Sequence, residues 1–520
     1  MRRVFTLAML LGLAAAACAP AAQPTTGGPA QPSGERRSAN QVLRIAKAGL
    51  PGGVTPELSS SNNEIFYAIF DTLTTYGKNF EQRPAVAEKW EFRQAENAWR
   101  FTIRQDLQFS NGAKLTADDV VYSTNLIVEK NLPTRSFLPS LDRAVKVNET
   151  TVDLISKSPD FTLIDGAPWI AIFPAAYHQQ VGRDFATKPI GSGPYELVEF
   201  RPADVIHFRL RQATHPYRKP IATELIFRAL PELTQQISGL RTGEIDIAQS
   251  NFNSDQAEQL KRAGLVVLTQ LTENNFALIS QPEARARNTP LNDRRVRLAL
   301  NYAVNKEVMA NDLFKGYAQP AGQLGFPGSA FWNPDTKPFA YDPAQAKRLL
   351  AEAGYPNGFK LPVGIEYTPQ TVAPEMAIAL QSQLREIGVE AEVASYEFAQ
   401  FLDKYYARNG QQKGDLFMVS NGNTTAHFTS GRGRFGCSGQ TFEIWWCNEN
   451  FVRLYDQAVA ESDPARRAEM LKQANTALVS DIPAIFLIVR DGFLVHGPKI
   501  KGVEFTTRNI YNYDNAYRVE

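Results

Sequence analysis

The sequence predicts an α/β chain, and three observations predict it. The first is a recurring unit in which a helical stripe of apolar residues meets a glycine and hands over to a short strand. Leu240–Ala248 carries it with Gly243 at the junction, and Glu375–Val393 carries it with Gly388. Tyr341–Phe359 shows the matching asymmetry, with Pro343 at a helix start and Gly354 at its end. The second is a set of short apolar runs of strand character, Val42–Ala46, Leu416–Val419 and Ile482–Val489. The third is length: 520 residues, 43% of them hydrophobic, are enough for about three domains with real cores.

The chain begins with Arg2 and Arg3, then an apolar run from Val4 to Ala17. That run is too short for a stable membrane span and has the form of a signal peptide. It ends LAAAAC at Cys18, with Ala15 where a bacterial lipobox usually has leucine and Leu13 two residues earlier. Residues 1–18 are expected to be a lipoprotein-type signal that leaves lipid on Cys18; ordinary cleavage near Ala17 is the alternative. Residues 19–40 are rich in Ala, Pro, Gly, Gln and Ser and lack large apolar side chains. They cannot bury enough surface to order themselves and are expected to be a flexible tether. No later stretch reaches spanning length, so the mature chain is expected to be soluble and extracytoplasmic, in the periplasm or at the cell surface.

Val42–Ala46 is the first expected strand, followed by the loop Gly52-Gly53-Val54-Thr55-Pro56-Glu57. Ile65, Ile69 and Leu73, with Phe66 and Phe70 beside them, mark a helical apolar face. In Ala85–Ser123, Trp99, Phe101 and Ile103 alternate with Arg100, Thr102 and Arg104, the period of a half-buried strand. Ser110-Asn111-Gly112 is a turn signal. Thr116 then stands as an N-cap with Asp119 three residues on, a capping box with Asp in place of Glu. Val120, Val121 and Leu126 are the expected buried face of that helix. Pro189–Tyr195, PIGSGPY, suits a tight turn, and the YELVEF that follows is a strand, which argues against a phosphate cradle. Val296, Leu300 and Val304 share a helical stripe that Asn292 or Asp293 can cap. Gln473–Val479 is the last expected helix.

Taken in order, Ala85–Ser123 (with its FSNG and LTADDVVYS), PIGSGPY, LRTGEIDIA, LNDRRVRLALNYAVNK and YDPAQAKRLLAEAGYPNGF resemble bacterial extracytoplasmic solute-binding proteins of the peptide/nickel (oligopeptide/dipeptide-binding) type. The resemblance covers essentially the whole mature chain. It implies an α/β fold of the two-lobe periplasmic-binding-protein kind (type II, cluster C) with an extra subdomain in lobe one. Lobe one would span 41–281, with the subdomain at about 75–188, and lobe two would span 282–490. Residues 491–520 would return to lobe one, with crossings near Glu283-Ala284-Arg285 and Asp491-Gly492. The implied function is the solute-binding component of an ABC importer, which captures peptides or a related small solute in the interlobe cleft and delivers it to a permease. The alternative is the same fold serving a non-peptide solute such as an oligosaccharide or metal chelate. The implied partners are the solute, ABC permease subunits, and the membrane through a lipid anchor only. A monomer without cofactor is expected.

The same resemblance places the ligand-facing residues. Val54 and Thr55 follow the first strand, Asn274 and Asn275 lie near the hinge, and Asn421, Asn423, His427 and Phe428 follow the Phe417 strand. Trp445 and Trp446 are adjacent, and adjacent strand residues face opposite ways, so at most one is expected in the cleft and the other in the core. In the best-known peptide-binding relatives, the loop after the Phe417-equivalent strand carries an Asp that pairs with the peptide's α-ammonium. Here the loop reads SNGNTTAHF, and no Asp or Glu lies between Asp415 and Glu443. Asn421 or Asn423 stands nearest, and an amide cannot neutralise a buried cation. The expected solute is neutral there, N-blocked, or a peptide held elsewhere. A shifted alignment with Glu443 or Glu273 supplying the charge is the alternative.

Other chemistry is argued against. A net charge of +1 lacks the basic excess of a nucleic-acid binder. Gly431–Gly436 matches GxGxxG without the strand before it and helix after it that a dinucleotide site needs. His178, His207, His215, His427 and His496 show no metal-ligand spacing, so no metal site is expected. Gly191-Ser192-Gly193 lacks nucleophile-elbow spacing. Glu244 and Asp246 could be taken for a carboxylate pair but are expected to be solvent-facing charges at a strand start. No catalytic residue and no enzyme are expected. With Cys18 lipidated, Cys437 and Cys447 remain as a disulfide pair in an oxidising exterior.

Overall fold

The computed structural model describes residues 36–520 apart from 59–62, 78–80, 251, 281–287, 324, 326, 370–371, 407–413, 423–431, 433–434, 438–445 and 506–510, with backbone alone at 63, 272–275, 280, 402, 406, 420–422 and 505. Strand β1 (Val42–Lys47) buries Leu43 and Ile45 against helix α1 (Asn63–Ile69), whose Ile65, Phe66 and Ile69 share that core. Leu73, expected on the same helical face, lies past the helix end and packs into the neighbouring subdomain instead. The hairpin β2 (Thr74–Tyr76) and β3 (Gln82–Pro84) leads into the subdomain. There β4 (Ala87–Arg93), β5 (Ala98–Ile103), helix α2 (Ala117–Glu129), β6 (Leu141–Asn148) and β7 (Thr151–Ser156) form an antiparallel sheet, order β4-β5-β7-β6, with α2 packed on it.

The local signals act as expected here. Phe101 and Ile103 are buried in β5, and Arg100 makes a two-pronged ion pair with Asp153 on β7, at 2.8 and 2.7 Å. The amide and hydroxyl of Thr116 both donate to one Asp119 oxygen, at 2.9 and 2.7 Å. The other oxygen accepts the Ala175 amide at 2.8 Å, at the start of α3 (Ala175–Val181). One carboxylate therefore caps two helices. The PIGSGPY turn is a close approach: the Gly193 amide donates to the Ile69 carbonyl at 2.6 Å, and a Cβ on Gly191 would sit 2.2 Å from that same oxygen.

The chain then lays down β8 (Tyr195–Arg201), β9 (Val205–Leu210), β10 (Glu224–Ala229), α4 (Leu233–Thr242), β11 (Ile247–Gln249), α5 (Ser254–Arg262) and the 15-residue β12 (Val266–Ser280). Helix α4 ends at Gly243, whose φ of +75° is the left-handed C-cap expected of a glycine. After β12 come α6 (Arg294–Tyr302), β13 (Ala318–Pro320), α7 (Pro343–Glu352), β14 (Phe359–Lys360), β15 (Ile365–Tyr367) and α8 (Pro374–Glu386). Then follow β16 (Val389–Glu390), β17 (Val393–Ser395), α9 (Phe398–Tyr406), β18 (Leu416–Gly422), α10 (Glu449–Val459), α11 (Pro464–Ser480) and β19 (Ala484–His496). One sheet, order β17-β15-β18-β12-β19-β11-β1-β10-β9-β8 with β13 also on β19, runs through the molecule.

Its spine is the antiparallel pair β12 and β19. They pair from Val266↔His496 to Leu271↔Asp491, then again from Asn275↔Val489 to Ile279↔Ala484, with a one-residue slip at Leu487 between Phe276 and Ala277. Between those runs Arg490 alone stands opposite residues 272–274, a bulge that bends and twists a ladder. On one side of this break β19 pairs with β11, and on the other β12 pairs with β18. Leu494 and Val495 pack into the cores around β1, whereas Leu278 and Phe486 pack into separate cores around α6–α8 and α9–α11. The strand expected over Ile482–Val489 therefore runs on to His496, because β12 keeps pairing with it past Asp491-Gly492.

Asp246 corrects an expectation. Glu244 is exposed and meets Arg228 at 3.2 Å, but Asp246 is buried. It accepts the Arg44 amide at 2.8 Å and both the Arg44 and Arg518 guanidinium groups, tying β1 to the C-terminal segment. No helix among the described residues is long and apolar enough to cross a membrane. Cys437 and Cys447 are joined by a disulfide. Closing so short a loop restricts the unfolded chain, so reduction is expected to cost about 2–3 kcal/mol. Urea unfolding with and without reductant measures this, and two titratable thiols in the denatured, unreduced protein would rule the bond out.

Candidate solute site

Ligands of open α/β sheets gather at the carboxyl ends of the strands. Here the parallel strands β1, β10 and β11 end together, at Lys47, Ala229 and Gln249. The Lys47 ammonium bridges Glu64, in the first turn of α1, and Gln249 at 3.1 Å. The loop after β1 is braced from below. The Val54 side chain is fully buried, and its amide donates to the Ala186 carbonyl at 2.7 Å. Thr55 is also buried, and its hydroxyl donates to Glu57 at 3.1 Å. The same Glu57 oxygen meets His178 Nε2 at 3.0 Å, while His178 Nδ1 meets the Tyr122 hydroxyl at 2.6 Å, with the Phe173 ring parallel to the imidazole at 5.3 Å. Val54 and Thr55 were expected to face ligand; their side chains instead face the lobe and fix the loop, which presents Gly52 and Leu58.

The register break gathers three of the expected positions. Asn274 pairs with Gly422, and Asn275 pairs with both Asn421 and Val489, so the asparagines occupy adjacent rungs where the sheet bends. Asn423, His427, Phe428 and Trp445 lie outside the described residues. Trp446 is the core member of its pair: it is 4% exposed, its indole N–H donates to Asp481 at 2.6 Å, and the Arg297 guanidinium lies over its ring at 4.6 Å.

Arg490, beside the crossing expected at Asp491-Gly492, was not singled out from the sequence. Arg490 lies over the Phe276 ring at 5.5 Å, and burial lowers its guanidinium. Burial pushes the Asp491 carboxyl up, and its amide donates to the Tyr317 carbonyl at 2.9 Å. The signal was a charged pair, Arg-Asp, inside the apolar run IFLIVRDGFLVH.

Among the described residues no cluster of His, Cys, Asp and Glu could hold a metal. The histidines seen serve local ties: His178 as above, His207 on Glu224 at 2.7 Å, and His215 on Asp71 at 3.0 Å. A cavity of about 550 Å³ lies within lobe one, between α1, the β2–β3 hairpin and the C-terminal segment, away from the register break. Asp71 on its wall accepts His215 and Tyr217, the latter at 2.8 Å, and Arg218 makes a two-pronged pair with Asp514 at 2.8 and 2.7 Å. Burial acts to raise the Asp71 carboxyl, but His215, Arg218 and Tyr217 together leave it below its usual range. A depressed folded-state pKa stabilises above the unfolded value near pH 4, and that contribution is lost as pH falls through the folded value. Asp71→Asn should therefore lose stability less steeply than the natural protein between pH 5 and pH 3 in urea titrations; equal slopes would contradict this role.

With this geometry described, similarity places the chain. The model of the bacterial extracellular solute-binding proteins, family 5 (middle), matches residues 81–441. The chain is 26% identical over 518 residues to heme-binding protein A of Haemophilus influenzae, covering 93% of each. It is 25% identical over 525 residues to the dipeptide-binding protein of Escherichia coli K12, covering 92% of this chain and 94% of that one. Among solved structures, the periplasmic binding protein DppA of Helicobacter pylori, in complex with the peptide STSA, superposes with a TM-score of 0.74 at 21% identity, covering 92% of this chain and 98% of that one. A match over more than half the chain, on a sheet whose two halves share one bent spine, makes this protein a member of the bacterial extracellular solute-binding proteins of family 5.

Proposed function

We propose that this protein is the solute-binding component of an ABC importer, closing two lobes over a small solute and presenting it to permease subunits. The observation that carries the reading is the β12–β19 spine with the larger of its two register breaks, residues 272–274 opposite Arg490. We take the lobes to divide at this break rather than at 281/282, with residues 274–280 belonging to lobe two. A solute touching both lobes binds the closed state better and shifts the population toward it. Asn274, Asn275, Asn421, Asn423, His427, Phe428 and Trp445 are the proposed contacts. The chain acts as a monomeric carrier, not an enzyme, and is held at the membrane by lipid on Cys18 and the tether 19–40.

The named relatives bind heme and dipeptides, so the family tolerates chemically different solutes. The absence of an acid between Asp415 and Glu443 supports a solute that places no free ammonium beside the loop after β18. A neutral or N-blocked compound, or a peptide anchored elsewhere, fits that loop. Mass spectrometry of material released on denaturation identifies the solute class. Calorimetry with a free tripeptide, its N-acetylated form and a neutral oligosaccharide then tests the anchor. Equal or tighter binding of the blocked or neutral compound is expected; tight binding of the free peptide that acetylation abolishes would refute it.

A further inference from the structure

Lobe one and lobe two also meet away from the spine. After β7 the subdomain chain turns through Asp160-Phe161-Thr162, a loop built from within. Asp160 is buried; its carboxylate accepts the Thr162 amide at 2.7 Å and hydroxyl at 2.6 Å, and its carbonyl accepts the Trp99 indole N–H at 3.1 Å. The Phe161 ring packs against Phe92 at 4.0 Å. This preformed tip reaches across to lobe two. The Phe161 amide donates to the carbonyl of Val459, the last residue of α10, at 2.8 Å. The guanidinium of Arg467, in the first turns of α11, lies over the Phe161 ring at 5.8 Å. Arg467 is held by the Glu461 carbonyl at 2.7 Å, so the α10–α11 turn is as well fixed as the tip that meets it. Asp160 and Asp165 on the subdomain attract that guanidinium, giving the contact complementary charge.

We propose that Phe161 and the α10–α11 turn form a latch, made only when the lobes are closed, that sets solute affinity without touching solute. The reasoning rests on the closure reading above. A contact present in one state alone multiplies that state's population. A backbone hydrogen bond and a cation–π contact at a partly exposed site together favour closure about tenfold. Phe161 and Val459 are positioning residues, and because they lie off the β12–β19 spine, their effect should be nearly the same for every solute the cleft accepts.

The test needs no solute. The 2.8 Å bond keeps the two Cα atoms near disulfide range, so the full chain carrying Phe161→Cys and Val459→Cys is oxidised and compared with its reduced form by small-angle scattering, with the natural protein in the same two redox states as the control for the Cys437–Cys447 bond. The bond should form, and the oxidised particle should have a smaller radius of gyration than the reduced one. Phe161→Ala, with its melting temperature recorded as a folding control, should match the reduced form. Failure of the pair to bond, or identical radii in both redox states, would overturn the latch. The import reading is tested separately: a protein that proved not to serve a permease would still cross-link, and one that bound solute without any redox-dependent change in radius would lose the latch alone.

Discussion

Lys306→Met is expected to stabilise the protein at neutral pH, on the order of 2–4 kcal/mol. Lys306 follows Asn305, whose side chain accepts the Val308 amide at 3.0 Å and so starts a short helical turn. That turn carries the lysine inward to 3% exposure, where its ammonium has no hydrogen-bond partner among the described residues and lies over the Phe339 ring at 5.5 Å. Desolvation pushes its pKa down to about 7. The unfolded value is near 10.4, so between about pH 7 and pH 10 the unfolded chain holds the extra proton and stability of the natural protein rises with pH. Below that window both states are charged and the penalty is complete. The gain from methionine should therefore be largest at pH 7 and shrink toward pH 10. Urea unfolding at both values measures it; a destabilised variant at pH 7 would show that the ammonium is solvated or paired in solution.

Glu366→Ala is expected to cost about 3–5 kcal/mol, the usual result of orphaning one member of a buried ion pair. The Glu366 carboxylate, 2% exposed in β15, accepts Lys404 at 2.7 Å, the Tyr396 hydroxyl at 2.9 Å, the Gly414 amide at 2.9 Å and the Tyr405 hydroxyl. It joins α9 to the entry of β18, which ends at the proposed asparagine contacts. Removing it leaves Lys404 buried without its counter-ion and frees that entry. Solute affinity should fall along with stability, whereas Glu366→Gln, which keeps the shape and some hydrogen bonds, should lose less of both. A loss below about 1 kcal/mol for the alanine variant would mean that the network rearranges at little cost.

What could be seen in the sequence was local. The Thr116–Asp119 box, the Asp342 cap on Gln345 at 2.8 Å and the Asp293 cap on Arg295 at 2.7 Å all depend on residues two or three apart. The apolar stripes of α6 and α8 are buried for the same reason: their period alone decides which side faces in. What could not be seen depends on partners distant in the chain. Asp246 gave no sign that Arg44 and Arg518 would enclose it. Val54 and Thr55 were expected to face ligand, but their side chains turn inward, where Ala186 and the Glu57–His178–Tyr122 series lie beneath them. For Trp446 periodicity allowed either direction, and Asp481 and Arg297 select the core. Nor did the sequence show that β12 and β19 stay paired on both sides of Asp491, since the two strands are far apart in the chain.

On the proposed function, this bent spine lets two lobes close on a solute. Small-angle scattering of the protein as purified, after stripping by unfolding and refolding, and after the released material is added back, tests it most directly. The stripped particle should expand, and adding back the released material should restore the smaller radius of gyration. Rebinding of that material, seen by calorimetry, with an unchanged radius would contradict closure about the β12–β19 break.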